Sequence, residues 1–267
     1  MKIFRQIFFA LFVAAMLFIV PTAYAENSAD DQKIEEAQKL FNQNDYNGAI
    51  KILDETIELN PNNVRAWYAR GTIYLILNQN ERAIQDLNKA IEIDPNNANS
   101  YCNRGYAYYA LKQNDRAIQD FNKAIEINPN DFQSYCNRGY VYDELGQHDR
   151  AIQDFDKAIE LNPNFVNAYY NRGLAYAFLE KYDSAIQNFD KVIEFDSNYA
   201  PVYYNRGLAY FLLNQYDRAL QDFTKATEVD PQLAAAYYNR GVTYQQLGDK
   251  EKAQADFAKA KELGYGG

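Results

Sequence analysis

Few side chains in this sequence have the types and spacing that catalysis needs. The only histidine, His148, stands in a turn of an internal repeat, at a position that Tyr182 and Tyr216 hold in later copies, which favours packing over a role as a base. The sequence contains no phosphate-binding loop, zinc-protease helix or nucleophile elbow. Its acidic residues recur at fixed repeat positions, which is typical of a solvated helix surface. We therefore predict that the protein is not an enzyme and needs no cofactor.

The two cysteines, Cys102 and Cys136, are 34 residues apart and hold the same position in adjacent copies of the repeat. Equivalent points on neighbouring packed helices lie about 8–10 Å apart, whereas a disulfide needs Cα atoms within about 7 Å. This spacing favours two thiols, with a strained disulfide as the alternative. A structural zinc ion needs four ligands, and the same helices hold no histidine or second cysteine pair. We predict no metal site.

An arginine precedes a glycine in six copies of the repeat, and an acidic or amide residue follows the arginine 16 residues later. The first copy has Glu36 and Ile52 at these places, so both partners are absent together. Arginine combines an apolar stem with a forked head that suits a carboxylate. The pattern predicts a link between two helices of one repeat, and a role in binding is the alternative. The pairs are Arg70 with Asp86, Arg104 with Asp120, Arg138 with Asp154, Arg172 with Asn188, Arg206 with Asp222 and Arg240 with Asp256.

These residues belong to a repeat of 34 residues, seen most clearly in the octets that begin at Tyr101 and Tyr135. A fixed period of this length indicates one supersecondary unit stacked many times. In the copy 98–131, apolar and small residues recur at helical spacing in two segments, and Pro129 ends the second segment. Each repeat is therefore predicted to form a helix A, a turn, a helix B and a turn. The predicted repeats are 30–63, 64–97, 98–131, 132–165, 166–199, 200–233 and 234–267.

The repeats resemble the tetratricopeptide repeat family. Repeat 2 carries the family pattern of aromatic, small and proline positions, and repeats 4 and 6 match it at the equivalent places. The resemblance implies an all-α fold, a right-handed superhelical solenoid of seven 34-residue helix-turn-helix repeats, with A helices lining a concave groove. Repeat 5 departs from the pattern at Val192 and Ser197, and we expect its helix B to run on toward Pro201. The residues of repeat 2 that carry the resemblance are Trp67, Gly71, Tyr74, Ala83, Leu87, Ala90 and Pro95.

The resemblance makes the A helices a candidate binding groove for a protein or peptide. An Asn amide both donates and accepts hydrogen bonds and could bind an extended peptide backbone. Tyr offers large contact area with few rotors to order. In the alternative, the Tyr rings pack between A helices and the Asn side chains bond across repeats. The candidate residues are Asn103, Asn137, Asn171, Asn205 and Asn239, with Tyr68, Tyr106, Tyr140, Tyr170, Tyr204 and Tyr238.

One subclass of the resembled family binds a carboxylate through a clamp of basic and amide side chains. The matching positions here hold Ile34, Cys102, Tyr106 and Asn137, so this clamp is not predicted. We expect a partner segment, extended or helical, that brings apolar anchors.

Residues 1–25 differ from the repeats and are predicted to form a signal peptide. Lys2 and Arg5 precede an uncharged run from residue 7 to residue 20, and Ala23 and Ala25 place small residues where a signal peptidase reads. We expect cleavage before Glu26, a short linker at 26–29, and export to the periplasm or the extracellular space. An uncleaved membrane anchor is the alternative, which is disfavoured because a membrane span needs about 20 apolar residues.

The net charge of the chain limits the classes of molecule that could be its partner. Without residues 1–25 the chain would carry 25 basic and 36 acidic residues, a net charge of −11. This balance argues against nucleic acid, and against a membrane except through an uncleaved leader. We predict an exported interaction scaffold that helps to assemble or localise an envelope complex. A self-associating structural module and a membrane-anchored adaptor are the alternatives, and no oligomeric state is predicted.

Overall fold

The computed structural model describes residues 29–266, and this part of the chain consists of helices joined by short turns. Fourteen α-helices and no strand occur among these residues, which confirms the prediction of an all-α repeat of helix pairs. The helices are α1 Ala29–Asn42, α2 Tyr46–Leu59, α3 Val64–Ile76, α4 Asn80–Ile93, α5 Ala98–Ala110, α6 Asn114–Ile127, α7 Phe132–Glu144, α8 His148–Leu161, α9 Val166–Phe178, α10 Tyr182–Phe195, α11 Ala200–Leu212, α12 Tyr216–Val229, α13 Ala234–Gln246 and α14 Lys250–Glu262.

The described residues divide into two compact units, residues 29–141 and 142–266, and the boundary falls inside α7. Odd-numbered helices are the A helices of the repeats, and even-numbered helices are the B helices. Within the first unit, each helix from α1 to α5 packs on the next one, and α3 also contacts α5. Within the second unit the same holds from α8 to α14, and α11 contacts both α9 and α13. We call these touching A helices the A layer of each unit: α3 and α5 in the first, and α9, α11 and α13 in the second.

A glycine on the A helix lets the paired B helix approach closely. A Cβ atom at Gly207 would lie 2.8 Å from Cε1 of Phe223, which is closer than real Cβ contacts allow. Phe223 is fully buried, as are the equivalent rings of Phe121, Phe155 and Phe189. Because a core packs to crystal-like density, this contact of a small residue with a large one fixes the distance between the two helices of a repeat.

Helix α10 ends at Phe195, so the expected extension of this helix toward Pro201 is wrong. The Asp196 backbone N–H closes the helix on the carbonyl of Val192. The Asp196 carboxylate then accepts a hydrogen bond of 2.9 Å from the backbone N–H of Asn198. Asp94 forms the same turn with Asn96 in repeat 2. An Asx turn therefore stops the helix in repeat 5, where repeats 1 to 4 and repeat 6 also have a proline.

The predicted signal peptide lies outside the described residues. None of the helices between residues 29 and 266 has the length and apolar character needed to cross a membrane. No disulfide joins Cys102 to Cys136 in this part of the chain, and both side chains are buried. The described residues also contain no group of three or more His, Cys, Asp or Glu side chains placed to hold a metal ion.

Candidate binding surface

The arginine before each glycine turns its head away from the A layer and toward the B helices. Nε and Nη2 of Arg206 donate to the two carboxylate oxygens of Asp222 over 2.8 and 2.7 Å. The guanidinium also lies over the rings of Tyr203 and Tyr210. Burial raises the pKa of Asp222, and the hydrogen bonds from Arg206 oppose that shift. Burial therefore disfavours the charged form of Asp222, and Arg206 offsets part of that cost.

The predicted link between two helices of one repeat is confirmed where both partners lie in one unit. The same forked contact joins Arg70 to Asp86, Arg104 to Asp120 and Arg240 to Asp256. In repeat 5 the Nε of Arg172 donates to Oδ1 of Asn188 over 2.8 Å. Arg138 belongs to the first unit and Asp154 to the second, so a link between them stays a prediction.

The sequence interpretation missed a second partner of each arginine. Nη1 of Arg206 donates to Asp190, which lies 16 residues before it on the B helix of the preceding repeat. The corresponding acceptor is a carboxylate in two other repeats and a neutral side chain in the remaining three. Looking in the sequence for an acceptor 16 residues before each arginine, as well as 16 residues after it, would have identified these second partners. They are Asp54 for Arg70, Asn88 for Arg104, Asn122 for Arg138, Asp156 for Arg172 and Thr224 for Arg240.

Four of the five predicted asparagines bond to the A helix of the preceding repeat. The acceptor is a hydroxyl in three repeats and a thiol sulfur in one. Asn171 lies half-buried at the same position of α9. These bonds hold the amides in place on the A helices, as the alternative interpretation expected, and a role in binding stays a prediction. The Nδ2 contacts are Asn103 to Thr72 at 2.9 Å, Asn137 to the Sγ of Cys102 at 3.5 Å, Asn205 to the hydroxyl of Tyr170 at 2.9 Å, and Asn239 to the hydroxyl of Tyr204 at 3.2 Å.

The six predicted tyrosines differ in exposure. Tyr68, Tyr140 and Tyr170 are buried, so their rings offer little surface to a ligand. Tyr140 meets Tyr109 edge to face at 5.4 Å, and Tyr170 meets Tyr199 in the same way at 5.3 Å. These contacts are the packing between neighbouring elements that the alternative interpretation described.

The other three predicted tyrosines retain more surface. Tyr106 and Tyr204 are half-buried, and Tyr238 is 39% exposed. Burial raises the pKa of both Tyr106 and Tyr204, so these hydroxyls stay protonated at neutral pH. Of the predicted aromatic set, Tyr238 therefore offers the largest ring surface to a ligand.

Two exposed apolar side chains on the A layer were not among the predicted residues. Phe178 ends α9 and is 45% exposed, and Leu212 ends α11 and is 53% exposed. Both occupy the thirteenth position of their repeats. One face of the Phe178 ring is stacked on His148 with the ring centres 5.1 Å apart. Nδ1 of His148 lies 2.7 Å from Oδ1 of Asp143. His148 therefore has the packing position that the sequence favoured.

Comparison with models of known protein families identifies the family to which this fold belongs. Models described as tetratricopeptide or TPR repeats match residues 52–85, 71–112, 105–146, 132–165, 166–199, 200–233 and 223–255. Together they cover the chain without a gap from residue 52 to residue 255. The chain belongs to the tetratricopeptide repeat family. This family is a type of protein-interaction scaffold and is generally non-enzymatic, which supports the prediction that the protein is not an enzyme.

Solved structures of tetratricopeptide repeat proteins are similar in fold. YrrB, described as a TPR protein with an unusual peptide-binding site, is 28% identical with a TM-score of 0.60, over 67% of this chain and 92% of its own. MamA is 27% identical with a TM-score of 0.58, over 60% and 93% of the two chains. A tetratricopeptide repeat protein from Parabacteroides merdae is 25% identical with a TM-score of 0.65, over 89% and 94%. No curated protein sequence matches the chain significantly.

Proposed function

We propose that this tetratricopeptide repeat protein is an exported scaffold that binds a segment of a partner protein on its A layer. The observation that carries the proposal is the exposure of Phe178 and Leu212 at equivalent places on adjacent A helices, with Asn205 about two turns before Leu212 on the same helix. Exposed apolar anchors next to fixed polar groups are typical of recognition surfaces. The similar protein YrrB has a peptide-binding site, which supports the same kind of ligand here.

Export is proposed from the leader, and the destination is the periplasm or the extracellular space. Expression of residues 1–267 in a bacterial host, followed by mass measurement of the secreted product, tests it. The expected mass is that of a chain beginning at Glu26. A product that keeps residues 1–25 and sediments with membranes would favour an anchored adaptor instead.

Binding is tested by affinity capture from the envelope fraction of the source cell, with partners identified by mass spectrometry. We expect the Phe178→Ser, Leu212→Ser variant to lose the partner that the wild-type protein retains. The matched control is Leu59→Ser, because Leu59 is 72% exposed but lies on the B helix α2. Partners that are lost only in the control would place the binding surface on the B helices and contradict the proposal.

A role in assembling or localising an envelope complex is the finer part of this proposal. It predicts that the captured partner co-fractionates with further envelope proteins, and that this larger complex is depleted in cells that lack the scaffold. A complex of unchanged size and position in such cells would remove the assembly role while leaving binding itself intact.

A further inference from the structure

The A layer of the second unit presents no available charge, although the chain has a net charge of −9. Each of its helices α9, α11 and α13 contains a single charged residue, namely Arg172, Arg206 or Arg240. Each of these guanidinium groups is bound by side chains of the B helices. Burying an ion against a surface without a counter-charge is unfavourable. A segment that lies on this layer therefore has to be uncharged where it makes contact.

The asparagine side chains of this surface offer hydrogen-bond acceptors rather than donors to a partner. Nδ2 of Asn205 donates to the hydroxyl of Tyr170 and to the carbonyl of Pro201, both over 2.9 Å. Nδ2 of Asn239 donates in the same way to Tyr204 over 3.2 Å and to Ala235 over 2.9 Å. An amide nitrogen has two hydrogens, so both are used inside the protein. Within the described residues neither Oδ1 accepts a hydrogen bond, which leaves acceptors for a partner that donates.

Because the partner has to donate hydrogen bonds, this surface favours an extended segment over a helical one. Backbone N–H groups in a helix interior are bonded to the helix's own carbonyls. An extended strand keeps one N–H per residue for an external acceptor. The two Oδ1 atoms of Asn205 and Asn239 therefore fit the backbone of an extended segment better than that of a helix.

The chain itself shows which side chains this surface accepts. After α14, the ring of Tyr265 lies on Tyr238 with centres 4.6 Å apart and planes 33° apart. Tyr265 is flanked by Gly264 and Gly266, so its side chain is the only large one in this stretch of three residues. An aromatic side chain between two glycines is thus already seated on the layer.

We infer that the partner of this surface is an uncharged, extended peptide segment with aromatic or large aliphatic anchors. This inference rests on the proposed function and specifies its ligand. The apolar anchors contact Phe178, Leu212 and Tyr238, and backbone N–H groups of the segment donate to Asn205 and Asn239. Affinity for such a segment is nearly independent of salt, because no ion pair forms on binding.

A phage-displayed library of random dodecapeptides, selected on the purified protein, tests the inference. Enriched peptides are synthesised, and their affinities are measured between about 0.05 and about 0.5 M NaCl, a range that shortens the screening length severalfold. We expect sequences without Lys, Arg, Asp or Glu in their enriched core, and affinities that change less than about threefold over this range. Leu212→Ser is expected to weaken binding at least about tenfold, which corresponds to about 1.4 kcal/mol, while Leu59→Ser leaves it unchanged.

Methylation of alternate backbone nitrogens in the best peptide tests the extended conformation, because it removes N–H donors. Loss of affinity in one of the two methylation registers supports the inference. Peptides that depend on Leu212 but carry charge and weaken with salt would overturn it and leave the proposed function standing. Binding that survives methylation in both registers would overturn the extended conformation. Peptides indifferent to Leu212→Ser would contradict the proposed function itself, and a library without binders would overturn the inference.

Discussion

At the scale of single residues, the arginine before each glycine decides where charge appears on the protein. Its guanidinium has five N–H donors in a rigid fork, enough for a carboxylate on its own B helix and an acceptor on the preceding one. Arg206 uses this capacity on Asp222 and Asp190. Because the head group is drawn toward the B helices, the A helices α9, α11 and α13, which contain no other charged residue, keep an uncharged surface.

Removing one carboxylate of these pairs is expected to destabilise the protein strongly. Asp120→Ala leaves Arg104 with the neutral Asn88 as its hydrogen-bond partner, and the side chain of Asp120 is 9% exposed. Loss of one member of a buried pair costs about 3 kcal/mol. Urea unfolding followed by circular dichroism measures the change.

The matched control lies on the same helix. Glu126→Ala breaks the pair of Lys123 with a side chain that is 70% exposed, and an exposed pair contributes less than about 1 kcal/mol. Equal losses in the two variants would show that the buried pair makes no special contribution.

The buried thiol of Cys102 gives a prediction about pH. Burial raises its pKa to about 12 from the ordinary value of 9.0. Because the unfolded thiol ionises first, the stability that it contributes is complete below about pH 9 and is lost as pH rises toward 12. We expect the urea midpoint of the wild type to fall over this interval, and to fall less in Cys102→Ala.

Thiol labelling checks the same property directly, since the thiolate is the reactive species. Native protein at about pH 8 should react slowly at Cys102, and protein in urea should react fully. Labelling of the native thiol at the rate of a free cysteine in solution would contradict this account of its burial.

At the scale of helices, the approach of helix A to helix B depends on matched sizes at one contact. Gly207 faces Phe223, and Gly71 faces the smaller Leu87, where a Cβ atom would lie 3.1 Å from Cγ. The two pairs are alternative solutions of the same packing problem. The helix distance is therefore a property of the pair rather than of the glycine alone.

This dependence predicts coupling between the two positions. Gly207→Ala should cost about 2 kcal/mol, because it forces the Phe223 ring to shift within a packed core. Adding Phe223→Leu should recover part of that loss, although Phe223→Leu alone is destabilising. The double-mutant cycle, measured by urea unfolding, gives the coupling energy, and simple additivity of the two changes would contradict the proposed contact.

At the scale of the whole molecule, stability comes from contacts between neighbours in the stack. Consecutive helices pack on each other within each unit, and next-nearest helices also meet in the A layer. Such arrays behave as sums of repeat and interface contributions. Losing a whole repeat should therefore be tolerated better than losing part of one.

Deletion of residues 200–233 removes one full period and brings repeat 7 next to repeat 5. Arg240 would then meet Asp190 in place of Thr224, so the arginine contact is kept. We expect a helical protein whose Tm is lowered by less than about 10 °C. Deletion of residues 217–233, half a period, removes the B helix α12 and makes the A helices α11 and α13 consecutive. This change should abolish cooperative unfolding. Thermal unfolding of both variants measures their Tm and cooperativity. Similar losses of Tm and cooperativity in the two variants would contradict the stacked-repeat account.

Much of the fold could be predicted from the sequence because the pattern is repeated. Seven copies with the same apolar spacing report helix positions more reliably than one copy does. The exception is the end of α10, where the absence of a proline predicts a longer helix, although Asp196 ends it through a local hydrogen bond. The same bond recurs every 34 residues, so an Asp or Asn at this repeat position would have predicted where the helix ends. The positions are Asn60, Asp94, Asn128, Asn162, Asp196 and Asp230.

The candidate surface could be predicted only as a set of positions on helix A. Spacing identified the asparagines and the tyrosines, but it did not distinguish the buried Tyr170 from the exposed Tyr238. It also passed over Phe178 and Leu212, because they occupy a position that is alanine or polar in some of the other repeats. Exposure depends on what the neighbouring repeat places against a side chain, and a single repeat does not contain that information.

The sequence by itself determined the helix pairs, their order, the family and the pairing of arginine with its own B helix. All of these follow from periodicity and from residue types at fixed separations. Only the tertiary structure decided the second acceptor of each arginine, the direction of the asparagine amides and the exposed anchors of the A layer. These depend on rotamers and on contacts between repeats, where several partners of similar chemistry compete for one side chain and packing selects among them.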